Sequence, residues 1–110
     1  MVATQVELTA AIEDFLKRLQ QNIRIEALVL YGSYINGRPN DWSDIDIAVI
    51  SPDFEDVSLP KRQEIIATTT LHRDARLSPI GYPSSEYHNP RPQSFLREII
   101  RTGKVVYHAE

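Results

Sequence analysis

A chain of 110 residues with 42% hydrophobic content is the size of one domain, residues 1–110, able to bury about two-thirds of its unfolded surface without covalent staples. It has no cysteine, which excludes disulfides and thiolate chemistry, and its three histidines (His72, His88 and His108) lack metal-ligand spacing, so no zinc mechanism is available. A formal charge of −3 disfavours binding to duplex nucleic acid, which calls for a basic face; no leader or long apolar run predicts secretion or a membrane span, and the expected location is cytoplasmic.

In chain order, Thr4 with Glu7 three residues on forms a capping-box pattern, and Leu8, Ile12, Phe15, Leu16 and Leu19 recur at helical spacing through Gln21. Arg24 to Tyr31 reads as a first strand whose apolar end, Leu28-Val29-Leu30-Tyr31, stops at Gly32. Glycine permits a sharp turn there. If Ser33 to Asn36 open a short helix, free N–H groups and the Ser33 hydroxyl face whatever lies above the turn, which suits a phosphate. Gly37 to Asp41 is a loop rich in breakers that overhangs this point, and its Arg38 either steers toward triphosphate oxygens or is simply solvated.

Asp44 to Ser51 reads as the second strand, parallel or antiparallel to the first. A period of two puts Asp44 and Asp46 on one side and Ile45, Ile47 and Val49 on the other. Two carboxylates converging on one point need a cation, and beside a phosphate site they form the oxygen-ligand environment that Mg²⁺ favours. Pro52 to Pro60 is expected to be a loop, with Asp53, Glu55 and Asp56 solvated. Lys61 to Leu71 reads as a helix with Ile65 and Ile66 inward, Asp74 to Ile80 as a third strand, and Pro83 to Pro92 as irregular. Ser94 or Gln93 opens a last helix through Arg101, stopped at Gly103, and Val105-Val106-Tyr107 either adds an edge strand or packs beneath it. Tyr31 and Trp42 flank the motif; packing is the default for both, with a base or partner surface as the alternative for Trp42.

Leu30-Tyr31-Gly32-Ser33, ten intervening residues, then Asp44-Ile45-Asp46 on an apolar strand resembles the signature of the minimal nucleotidyltransferases, the small antitoxin-like branch of the DNA polymerase β-like superfamily. Arg76-Leu77-Ser78-Pro79-Ile80-Gly81 resembles the family's third core strand, and Ile99 to Tyr107 its C-terminal helix and closing strand. The resemblance implies an α/β (α+β) fold with a small mixed sheet flanked by helices. It also implies an enzyme moving a nucleoside monophosphate, AMP from ATP, onto an acceptor. Gly32 and Ser33 would bind nucleotide phosphates, Asp44 and Asp46 would be catalytic, hold Mg²⁺ and contact the nucleotide, and the acceptor would be a partner such as a HEPN-type helical toxin. One position departs. Relatives with this pattern carry an acid just before the proline of the third strand, where this chain has Ser78, a poor Mg²⁺ ligand and no general base. Asp74 lies four residues upstream, about 13 Å along a strand. Arg76 shares the face of Ser78 and either touches nucleotide or pairs with Asp74. The alternative function is a weak or inactive module of the same fold that neutralises its partner by complex formation. A small-molecule nucleotidyltransferase is a further alternative, but it would have to build its acceptor pocket at a dimer interface.

Overall fold

Helix α1 runs from Gln5 to Gln20 in the computed structural model, which describes residues 4–32, 44–70 and 76–110. Both halves of the capping box form: Glu7 N–H donates to Thr4 Oγ1 at 3.1 Å, and Thr4 N–H donates to Glu7 Oε1 at 3.3 Å. Leu8, Ile12, Phe15 and Leu19 are buried, the stripe that a 3.6-residue period turns toward the core.

Strands β1 (Ala27–Tyr31), β2 (Ile45–Ser51), β3 (Leu77–Pro83) and β4 (Lys104–His108) form a sheet ordered β3-β2-β1-β4. β1 is antiparallel to β2 and β4, whereas β2 is parallel to β3, so the sheet is mixed, as the α+β expectation has it. Val105 to Tyr107 do form part of an edge strand. One sheet face (Leu28, Leu30, Ile45, Ile47 and Val49) packs under α1 and α2 (Leu59–Thr70). The other (Ala27, Val29, Ala48 and Ile50) packs against Leu96 and Ile99 of α4 (Phe95–Thr102), with Tyr87 of α3 (Ser84–His88) beside it. No described helix is long and apolar enough to cross a membrane.

Several boundaries differ from the sequence reading, each for a tertiary or positional reason. β1 begins at Ala27 rather than Arg24, because the Arg24 N–H donates to Asp53 Oδ2 at 2.7 Å rather than into a ladder. α2 starts at Leu59: the Ser58 carbonyl accepts from Arg62, and Pro60 sits in the first turn, where its missing N–H is harmless. β3 runs on to Pro83 instead of ending at Ile80, since an edge strand tolerates prolines at 79 and 83. The stretch from Pro83 to Pro92 contains helix α3, whose first turn is held from a distance: Glu55 accepts from Ser85 N–H at 2.8 Å and from its hydroxyl at 2.6 Å.

The acidic segment is therefore not simply solvated. Residues Pro52–Phe54 form a 3₁₀ turn capped by the Ser51 hydroxyl, and Asp53 takes two further hydrogen bonds from the Arg24 guanidinium at 2.7 and 3.1 Å. Those bonds hold the Asp53 carboxyl below its usual range, the guanidinium contribution being the largest. A depressed folded value gives stability that is fully present above the unfolded value of about 3.9 and is lost as pH falls through the folded one. Asp53→Asn should thus lower the urea midpoint at pH 6 and leave it close to wild type near pH 2. An equal loss at both pH values would remove the ion pair as the cause.

Candidate active site

β1 ends at Tyr31, and the chain turns at Gly32 with φ +82°. A Cβ placed on Gly32 would lie 2.2 Å from Asp46 Oδ2, so the Asp46 carboxylate sits directly on the glycine backbone. Glycine is required twice over here, by a left-handed conformation and by the close approach. The turn and the carboxylate, read separately along the chain, are one structural unit.

The antiparallel register sets Tyr31 opposite Asp46, and the parallel register sets Ser78 opposite Asp46 on the other side. These three residues make a row across the sheet on the face that α4 partly covers. An eight-residue helix is about 12 Å long against about 23 Å for a seven-residue strand. α4 covers Ala27, Val29, Ala48 and Ile50 and leaves the Tyr31–Asp46–Ser78 row at the sheet's open end, with Ser78 exposed and Tyr31 and Asp46 half-buried. Asp44, exposed, stands one residue before β2. The start of β3 is fastened there by the Ile45 N–H, which donates to the Arg76 carbonyl at 2.7 Å.

Burial, and then the negative charge of Asp44, push the Asp46 carboxyl above its ordinary value. The Tyr31 phenol is pushed up to about 12 by burial, by Asp46 and by Tyr82. Both shifts come first from burial and then from neighbouring acidic groups, so the end of the sheet that holds Tyr31 and Asp46 disfavours their charged forms. A partly desolvated carboxylate and a second one two residues away form a hard oxygen donor set that fits a divalent cation. Among the described residues, no group of three or more His, Cys, Asp or Glu is placed to hold a metal.

Of the residues singled out in the sequence, Gly32, Asp44, Asp46 and Ser78 are brought together, and Arg76 lies at the mouth of β3. Ser33, Arg38, Trp42, His72 and Asp74 lie outside the described residues. Sequence reasoning missed Tyr31 as the neighbour of the carboxylate and Phe95 as its ring partner, centroids 5.7 Å apart. The strand period of two does put Tyr31 and Asp46 on one face once the pairing register is known, but Phe95 reaches them only through the tertiary fold.

A mixed sheet with helices on both faces, carrying a glycine turn closed onto one of two paired aspartates, defines a nucleotidyltransferase-like protein. The fold matches the solved structure of "a putative nucleotidyltransferase from Sulfolobus solfataricus" with a TM-score of 0.72 at 13% identity, over 94% of this chain and 83% of that one. Residues 12–110 match the family described as Polymerase beta, Nucleotidyltransferase, and the chain belongs to that family. It is also similar to a Methanocaldococcus jannaschii protein named "Putative protein adenylyltransferase MJ0604", 26% identical over 99 residues, covering 88% of this chain and 95% of the relative.

Proposed function

We propose that this chain is a Mg²⁺-dependent nucleotidyltransferase that moves AMP from ATP onto a partner protein, a HEPN-type helical toxin, and so acts as an antitoxin. The observation that carries this reading is the Asp46 carboxylate seated on Gly32 with Asp44 beside it at the uncovered end of the sheet. The name of the similar archaeal protein favours a protein acceptor and adenylyl transfer.

In this reading Gly32 and Ser33 hold the β- and γ-phosphates, while Asp44 and Asp46 hold the cation. The cation, when bound, supplies neutralisation of the phosphate charge and of the leaving pyrophosphate. The acceptor hydroxyl attacks the α-phosphorus in line, forming one O–P bond as the bond to pyrophosphate breaks and the hydroxyl proton passes to solvent. Positioning and charge neutralisation supply the rate, with no covalent enzyme intermediate. Transfer of label from α-labelled ATP to proteins that co-purify with the chain tests the proposal; the expected result is a labelled partner, and none with Asp44→Asn.

Ser78 opposite Asp46 favours the second reading, a module that masks its partner without turnover. A stable complex that takes up no label would select it. Under the first reading, Ser78→Asp places a third carboxylate across from Asp46 and should raise single-turnover transfer roughly 10²-fold, the scale of an added general base. An unchanged rate would remove position 78 from the reaction.

A further inference from the structure

Phe95 is 59% exposed, an unusual place for a large aromatic side chain that the helix does not need. Only Leu96 and Ile99 of α4 are buried, so packing of this helix is satisfied without it. Its ring meets Tyr31 edge-on, at an interplanar angle of 82°, and Tyr31 faces Asp46 across the β1–β2 pair. Phe95 also forms one wall of a cavity of about 200 Å³, with Tyr82, Pro90 and Leu96 as further apolar walls and Glu86 and Arg91 at the edge. Because Phe95 lines this cavity and its ring meets Tyr31, the cavity lies beside the Tyr31–Asp46 pair on the same face of the sheet.

That volume is below the ~300–1,000 Å³ of a site that holds a whole small ligand, so it suits one ring system attached to something held elsewhere. Its composition suits a planar heteroaromatic group: apolar surfaces for the faces, a carboxylate to accept from a ring amino group, and a guanidinium to donate to ring acceptors. A phenol would leave most of that polar edge unused.

We propose that Phe95 is the stacking platform for the nucleobase of the bound nucleoside triphosphate, in the cavity between β3, α3 and α4. The inference rests on the proposed phosphate and metal roles of Gly32, Asp44 and Asp46. Stacking of a base on an aromatic side chain is sequence-tolerant and worth enough to set affinity. Phe95 thereby converts a site that grips only a triphosphate into one that also grips a nucleoside.

Calorimetric titration of the full chain in Mg²⁺, with ATP and separately with inorganic tripolyphosphate, tests this without any acceptor. The expected result is that wild type binds ATP more tightly than tripolyphosphate. Phe95→Ala should weaken ATP about 10-fold with tripolyphosphate unchanged, and Phe95→Trp should restore it. Phe95→Leu keeps an apolar contact on Tyr31 while losing the ring face, and carries the same expectation should the alanine variant fold poorly. Equal wild-type affinities for the two ligands, or equal effects of the variants on both, would overturn the stacking role and leave the phosphate site standing. Wild type binding neither ligand would overturn the proposed function and this inference together.

Discussion

Asp46→Asn is expected to lower nucleotidyl transfer by about 10³-fold or more and, in the same metal-free chain, to raise stability at neutral pH. Under the proposed function the loss follows from removing the carboxylate assigned to the cation that neutralises phosphate charge. The gain follows from the strain of the native carboxylate, whose value is raised first by burial and then by Asp44. A raised folded value means that the folded chain favours the protonated form. The full stability is present below the unfolded value of about 3.9 and is lost as pH rises through the folded one. Thermal unfolding of both proteins in EDTA, from pH 3.5 to 7, should show the variant gaining on wild type as pH increases. Melting curves that keep a constant separation over that range would mean that Asp46 carries no such cost. Restoring Mg²⁺ should stabilise wild type more than the variant, because binding to the folded state alone adds to its stability.

Gly32→Ala should cost about 2–4 kcal/mol of stability and roughly 10²-fold in transfer. The backbone contribution is the left-handed conformation, about 1–2 kcal/mol for a residue with a Cβ. The rest comes from a methyl group placed 2.2 Å from Asp46 Oδ2, which forces the carboxylate or the turn to move. Displacement of a catalytic group by about 1 Å is enough for a rate loss of that size. Gly32→Asn separates the two causes, since asparagine tolerates the backbone angle but keeps the clash. Urea unfolding measures the stability change and labelled transfer the activity. A Gly32→Ala protein within about 0.5 kcal/mol of wild type would mean that the turn relaxes freely and that the Gly32–Asp46 contact is not a rigid part of the site.

Where local chemistry sufficed, the sequence was a dependable guide. The Thr4–Glu7 box, the stripe from Leu8 to Leu19, the Ser94 cap of α4 and the alternation through Ile45 to Val49 depend on neighbours within four residues, and each forms as read. Readings that treated proline as a stop failed at Pro60 and Pro83, because the cost of a missing N–H depends on whether that position has a partner to lose. Readings that treated charge as solvation failed at Asp53 and Glu55, whose partners Arg24 and Ser85 are 29 and 30 residues away.

The sequence alone determined the family, the alternation that sets Asp46 opposite in face to Ile45 and Ile47, and the glycine that ends the first strand, since spacing and period are local quantities. Tertiary structure decided that Gly32 and Asp46 are in contact, that position 78 pairs with Asp46, and that Tyr31 and Phe95 border the site. Those facts depend on strand order, on register and on how far a short helix reaches across a longer sheet. None of these is encoded within a single segment, because each results from burying the apolar faces of several segments together.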